Sequence, residues 1–264
     1  MSSDEFLNDK WFKKLDRQTQ HIINRIGVDR KTLDQVFDLS TLHRLGTLMS
    51  HGTIEYVDFP ISTGKEANIF RAVTPKKKLV VLKIYRTSNL TFKHITKYIE
   101  GDPRFHLTTH SRRDIINEWT KKEFKNLHRL YNVHIRVPKP IRNIGNIVIM
   151  QYVGTKDIAA PLLKNVYPKN PKQVCTEIIN FIKIMYQKAE LVHGDLSPYN
   201  ILLYRQKPYI IDVGQSVLLE HPLADDLLHR DITNMVTFFN TWDIKLNALK
   251  IIKDIKNSSS KVTT

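Results

Sequence analysis

One cysteine, Cys175, is all the thiol chemistry this 264-residue chain has. That excludes an internal disulfide and any zinc site built on cysteines. Its setting, Val174-Cys175-Thr176-Glu177-Ile178-Ile179, reads as a helix interior. Long apolar runs are also missing: none approaches the roughly 20 residues a membrane helix requires, so no membrane partner is expected. The opening Met1-Ser2-Ser3-Asp4-Glu5 lacks the basic and then apolar pattern of a signal peptide. Secretion is therefore not expected, and a reducing, cytoplasmic compartment fits, with shuttling to the nucleus left open. No internal repeat stands out. Against these absences, 41% of residues are hydrophobic, enough to bury a full core, and 41 Lys and Arg oppose 26 Asp and Glu, for a formal charge of +15.

The most informative stretch is Leu191-Val192-His193-Gly194-Asp195-Leu196-Ser197-Pro198-Tyr199-Asn200-Ile201-Leu202, followed by Ile210-Ile211-Asp212-Val213-Gly214. The first has the His-x-Asp-x-x-x-x-Asn spacing of a kinase catalytic loop, in which the Asp orients or deprotonates the acceptor hydroxyl and the Asn holds magnesium. The second brings another carboxylate from the end of an apolar strand. A carboxylate and an amide spaced along an irregular loop can converge on one metal–phosphate group, and hard oxygen ligands are what Mg2+ requires. Either segment alone could be an ordinary turn, because Gly and Asp favour turns for backbone reasons. Both together, in this order, point to phosphoryl transfer, with Asp195 as the catalytic residue and Asn200 and Asp212 as metal ligands.

Upstream, Leu79-Val80-Val81-Leu82-Lys83-Ile84-Tyr85 is an apolar, β-branched strand carrying one lysine. In a kinase-like arrangement Lys83 would contact the α- and β-phosphates of ATP and pair with a helix Glu. Trp119, Glu123 and Leu127 recur at i, i+4 and i+8, placing Glu123 on an inward stripe where a carboxylate needs a partner. Glu118, offset from that stripe, is the rival. Before the lysine strand, Ile61-Ser62-Thr63-Gly64-Lys65-Glu66-Ala67-Asn68-Ile69-Phe70 has neither Gly-x-Gly-x-x-Gly nor the Walker pattern. A turn offering the Ser62 hydroxyl, backbone amides near Gly64 and the Lys65 ammonium could still cover a triphosphate, although alone it would pass for a polar β-turn. Asn146 to Gly154 reads as a strand leading from one lobe to the other. Adenine would rest on Met150 and take main-chain bonds from Gln151 and Val153. Met150 fits equally well as core filler.

These segments resemble the RIO-type atypical protein kinases, and their first (Rio-one) branch in particular. The resemblance is carried by Ser62-Thr63-Gly64-Lys65-Glu66-Ala67-Asn68, Leu82 to Ser88, Gly101-Asp102-Pro103-Arg104-Phe105, Trp119 to Phe124, His193 to Ser197, Ile211 to Val217 and His221-Pro222. It covers roughly residues 15 to 240. It implies an α+β, two-lobed kinase-like fold with a small β-rich N-lobe and a reduced helical C-lobe, ATP and Mg2+ as cofactors, and a role in maturation of the small ribosomal subunit. It also implies that Asp212 accepts the γ-phosphate as an aspartyl-phosphate, so that the molecule works as an ATPase switch. Three positions depart from the family pattern: Gly194 stands where Ala is usual, Pro198 where Glu is common and Gln151 where the hinge has Glu.

Along the chain, residues 1–50 carry helical patterning (Trp11, Phe12, Leu15; Leu33, Val36, Phe37; Leu42, Leu45, Leu48), with Asp29 and Ser40 as caps. The N-lobe spans 51–153, with a polar, basic and flexible insertion near 86–113. The C-lobe spans 154–256, with long helices at 174–190 and 223–239, and 257–264 reads as a disordered tail. The charge favours polyanionic partners, and given the resemblance these would be ribosomal RNA and small-subunit precursors. A competing class is a catalytically weak, RNA-associated scaffold using ATP as a conformational ligand, which the intact set of Lys83, Asp195, Asn200 and Asp212 argues against. The protein substrate and the oligomeric state are not legible in the sequence.

Overall fold

The computed structural model describes residues 38–87, 92–105 and 111–257. The helical patterning read at 1–37, its Asp29 cap and the tail beyond Asn257 lie outside them. The described residues fall into two compact units: 38–87 with 92, 111–120 and 141–152 in one, and 93–105, 121–140 and 153–257 in the other.

The first unit opens with helix α1 (Leu39–Ser50). Its cap is Asp38, two residues before the expected Ser40: the Asp38 carboxylate accepts the Thr41 N–H at 2.7 Å and the hydroxyls of Ser40 and Thr87. Asp accepts an early helical N–H well, and three donors hold this one in place. Strands β1 (Tyr56–Thr63), β2 (Ala67–Val73) and β3 (Leu79–Tyr85) follow. With β4 (Pro140–Ile144) and β5 (Ile147–Gln151) they form a five-stranded sheet in the order β1-β2-β3-β5-β4. Strand alternation sets its two faces. Phe70, Ala72, Val80, Leu82, Ile84, Ile147 and Ile149 form the core with Leu45, Leu48 and Met49 of α1. Lys83 is out of phase with that set and lies level with Ile69 of β2 and Val148 of β5. At the β4–β5 turn, buried Asn146 donates to the Thr41 hydroxyl (2.9 Å) and the Tyr85 carbonyl (2.8 Å) and accepts from Arg44 (2.5 Å). The Arg44 guanidinium lies against Gly145, whose φ of +52° is a left-handed backbone that glycine takes without strain.

The second unit is mostly helical. The segment expected to be a flexible insertion instead contains α2 (Phe92–Glu100) and a structured turn through Phe105. Ile95, Tyr98 and Ile99 recur at helical spacing and are buried, with polar and basic residues between them, so the helix is strongly amphipathic although polar on average. Helix α3 (Arg112–Asn132) contributes 112–120 to the first unit and 121–132 to the second. Helix α4 (Pro171–Gln187) buries Val174, Cys175, Ile178, Phe181, Ile182 and Met185, as the helix reading of Cys175 expected; burial pushes that thiol up to about 11, away from reactivity. Strands β6 (Leu191–Val192) and β9 (Val217–Leu218) pair antiparallel, β7 (Ile201–Tyr204) and β8 (Lys207–Ile210) form a hairpin, and α5 (Ala224–Asn240) and α6 (Ala248–Asn257) complete the unit. No described helix is long and apolar enough to cross a membrane.

Candidate active site

The two motif segments hang between the short strand pairs. His193 to Asn200 leads from β6 into β7, and Ile211 to Ser216 leads from β8 into β9. The Ile211 N–H donates to the Asn200 carbonyl at 3.0 Å, joining the end of the first segment to the start of the second. His193, 1% exposed, makes a second joint. Its Nδ1 accepts the Asp195 N–H at 3.3 Å, and its Nε2 lies 3.2 Å from the Ile211 carbonyl. Both contacts are satisfied by one tautomer, with the proton on Nε2. The histidine thus fixes the backbone at Asp195 relative to the residue before Asp212.

Asp195, Asn200 and Asp212 converge as the spacing predicts. The Asn200 Nδ2 donates to the Asp195 carbonyl at 2.8 Å and to its Oδ2 at 3.1 Å. The Asp195 carboxyl is raised above the ordinary aspartate range, chiefly by burial and then by the negative charge of Asp212, against the Asn200 hydrogen bond and the Arg230 charge. Two carboxylates close enough to perturb one another are unfavourable without a cation. Asp212 is exposed, with φ +59°, a left-handed conformation that Asp tolerates better than most residues and that is concentrated at functional sites. Both bonds from the Asn200 side chain to Asp195 use its amide nitrogen, which leaves its Oδ1 as a hard oxygen donor. Among the described residues no group of three or more His, Cys, Asp or Glu could hold a metal by itself. The Asp212 carboxylate and the Asn200 amide oxygen are hard donors of the kind a magnesium ion would take, its remaining ligands coming from phosphate and water.

Helix α5 holds the first segment in place. Asp231, 1% exposed, accepts the N–H groups of Gly194 and Leu196, each at 2.8 Å. The neighbouring Arg230 guanidinium donates to the Gly194 carbonyl, and Asn234 donates to that of Leu196 at 3.3 Å. The loop's backbone is therefore gripped on both sides of Asp195. Gly194 has φ +80°, and a Cβ there would meet the Gln215 carbonyl oxygen at 2.8 Å. The departure from Ala at this position thus has a steric reason in this chain. The Pro198 carbonyl accepts the Lys164 N–H at 3.2 Å, a contact through the main chain.

Asp231 was not singled out in the sequence, although the signal was there. It lies on the same apolar stripe as Leu227, Leu228, Ile232 and Met235, where an unpaired carboxylate would be costly. Lys122, whose place beside Lys121 suggests a solvated basic face but which is 0% exposed, and Asn126 of α3 carry the same signal. They share a buried stripe with Trp119, Glu123, Leu127 and Leu130, and Asn126 donates to the carbonyls of Val213 (2.9 Å) and Ser216 (3.1 Å).

In the strand unit, Lys83 is 6% exposed on β3, its Nζ 5.0 Å from the Tyr85 ring centroid. Ser62, Gly64 and Lys65 are exposed around the β1–β2 turn, where the Gly64 N–H donates to the Ala67 carbonyl at 3.0 Å. A Cβ on Gly64 would press on that same oxygen at 2.9 Å, which is why the loop keeps its one glycine. Met150 is buried and Gln151 exposed at the end of β5. Glu118, on the part of α3 that belongs to this unit, is half-buried, whereas Glu123, in the other unit, is 1% exposed, as its stripe predicts. Val153 is buried, and its carbonyl accepts the Ala160 N–H at 3.0 Å.

Residues 68–251 match the family model for the RIO domain. The chain is 40% identical over 257 residues to the RIO-type serine/threonine-protein kinase Rio1 of Methanocaldococcus jannaschii, covering 95% of this chain and 87% of that one. It is 40% identical over 215 residues to the human serine/threonine-protein kinase RIO1, covering 80% of this chain and 38% of that longer protein. Among solved structures, the Rio2 kinase from Chaetomium thermophilum in its ADP/Mg2+-phosphoaspartate complex superposes with a TM-score of 0.65 over 85% of this chain and 67% of its own, at 24% identity. The fold is the α+β, kinase-like one, and the chain belongs to the RIO family of serine/threonine-protein kinases.

Proposed function

We propose that this protein transfers the γ-phosphoryl group of ATP in a Mg2+-dependent reaction, as a serine/threonine kinase that also turns over ATP through an aspartyl-phosphate, and that it acts in maturation of the small ribosomal subunit. The observation that carries the chemistry is the convergence of Asp195, Asn200 and Asp212, with the Asp195 carboxyl raised by burial and by Asp212. Asp212 and the Asn200 amide oxygen would hold the metal, which when bound neutralises phosphate charge. Lys83 binds the α- and β-phosphates, and the Ser62–Lys65 turn covers them. With a hydroxyl acceptor, its oxygen bonds to the γ-phosphorus while the bond to the β–γ bridging oxygen breaks, ADP leaves, and the hydroxyl proton passes to Asp195. With Asp212 as acceptor there is no proton to remove; water later hydrolyses the acyl phosphate, and Asp195 positions that water. The phosphoaspartate in the Rio2 complex supports this second route. Lys83→Ala tests the nucleotide reading. A lost charge-assisted bond of about 1.5–3 kcal/mol should weaken ATP binding about 10- to 100-fold by calorimetry, and an unchanged Kd would remove Lys83 from the site.

The ribosomal setting is supported by the family and by the net charge of +15. Affinity for structured RNA or small-subunit precursors should fall steeply with salt, by up to roughly 0.9 in log–log slope per phosphate neutralised, while ATP turnover falls less. The Lys76-Lys77-Lys78 cluster lies in the exposed turn between β2 and β3. Lys77 is already paired with Glu55 at 2.7 Å. Reversal of Lys76 and Lys78 to Glu is therefore the cleaner probe, expected to lower RNA affinity and spare hydrolysis. RNA binding that is flat with salt would leave the basic charge a matter of solubility.

A further inference from the structure

The segment Gly101–Phe105 and the loop that starts at Asp212 are far apart in sequence, yet one side chain touches both. Lys122 of α3 is 0% exposed. Its ammonium donates to the Ser216 carbonyl and lies 3.4 Å from the Asp102 carboxylate, itself 1% exposed. A buried ammonium is costly, so a lysine here without a task would be a poor choice beside an aliphatic residue. Burial pushes it down to about 8 while Asp102 pulls it back up.

The turn that supplies Asp102 is itself firmly built. Arg104 donates to both carboxylate oxygens of Asp102, at 2.8 and 2.6 Å, and its backbone N–H donates to one of them at 3.1 Å. Phe105 packs under Arg104 and under Lys125 of α3, whose ammonium is 4.7 Å from the ring centroid. Gly101 lies against the ring of His221, whose Nε2 is 3.2 Å from the Lys97 carbonyl, and a Cβ there would strike the imidazole. The charged and titratable groups around Lys122 are thus Asp102, Arg104 and, at the edge, His221.

On the other side, the carbonyls of Val213 and Ser216 are both held from α3, by Asn126 and Lys122. These carbonyls lie one and four residues after Asp212 with its left-handed backbone. We propose that Lys122 is a positioning residue for phosphoryl transfer: anchored by Asp102, it fixes the Val213–Val217 backbone and so aims the Asp212 carboxylate, making the Gly101–Phe105 turn part of the catalytic framework. This rests on the function proposed above for Asp212.

Lys122→Met tests it. Methionine fills similar space, Asn126 still satisfies the Ser216 carbonyl, and Arg104 still satisfies Asp102, so the variant should fold. The expected result is a 10- to 100-fold loss in kcat with KM for ATP within about twofold, and at least tenfold faster hydrogen exchange at residues 213–217, exchange being measured without nucleotide or metal. Parent-like kcat and exchange would overturn the proposal, as would a loss confined to melting temperature. Asp102→Asn, which leaves the lysine in place but removes its anchor, should shift exchange at 213–217 in the same direction by a smaller factor. If Lys122→Met does not fold, unchanged exchange in Asp102→Asn overturns the proposal. Should the parent itself transfer no phosphoryl group, the function fails separately, and the exchange data still decide whether Lys122 and Asp102 hold this loop.

Discussion

Asp195→Ala is expected to lower turnover by about 10²-fold or more while leaving nucleotide affinity nearly unchanged, because a positioned base contributes of that order to the transition state and little to the ground state. The geometry makes this a clean test. Asp195 meets Asn200 through its carboxylate but also through its main-chain carbonyl, and its own N–H is held by His193, so the loop keeps its shape when the carboxylate is removed. Removing one of two neighbouring negative charges also eases the Asp212 environment, so stability should not fall. Pre-steady-state turnover with direct measurement of ATP affinity checks it. Equal turnover in variant and parent would remove Asp195 from the reaction.

Asp231→Ala should produce the largest loss of stability. Two buried backbone N–H groups would lose their acceptor, at roughly 1–3 kcal/mol each, offset in part by relief of a buried carboxylate, for a net loss of about 2–4 kcal/mol. In a domain of this size that lowers the melting temperature by about 5–15 °C. Activity should fall with it, since Gly194 and Leu196 flank Asp195. The same residue predicts a pH dependence. Burial pushes the Asp231 carboxyl from 3.8 up to about 7, against the hydrogen bonds from Leu196 and Gly194. A folded-state pKa above the unfolded value means that the folded protein holds the proton more tightly. Its contribution to stability is then fully present below about pH 4 and is lost as pH rises through about 7. Unfolding at several pH values should show Asp231→Asn flattening this slope relative to the parent. An identical slope would mean that the carboxylate stays ionised and that its backbone bonds outweigh burial.

What could be read from the sequence was what local spacing controls. The grouping of His193, Asp195, Asn200 and Asp212 is legible because it rests on fixed intervals along one loop and one strand end. Glu123 was legible because its stripe has helical period, and the sheet that carries Lys83 because β-branched runs announce strands. The supports of the site were harder to see. Asp231, Lys122 and Asn126 act on backbone groups 35 to 94 positions away in the chain, and no spacing rule connects them. The one trace they leave is a polar residue inside an apolar stripe, which stands out only when asked for residue by residue. Helix α2 is hard to tell from a flexible insertion in the sequence because its residues are polar and basic on average, although their phase is helical. The cap at Asp38 was misplaced by two residues because Ser40 is an equally good capping type, and only the bond to Thr87, far along the chain, favours the aspartate.

The central claim is that Asp195, Asn200 and Asp212 perform phosphoryl transfer, with Asp212 as the group that receives it. Single-turnover incubation of the unmodified protein with γ-labelled ATP and Mg2+, followed by separation of phosphoprotein from free phosphate and treatment with hydroxylamine, addresses it most directly. Label on the chain that hydroxylamine releases, mapping to the peptide carrying Asp212 and decaying to free phosphate, is the predicted result. Label that resists hydroxylamine and is confined to Ser or Thr would contradict Asp212 as the acceptor, and no transfer to protein or water would contradict the site itself.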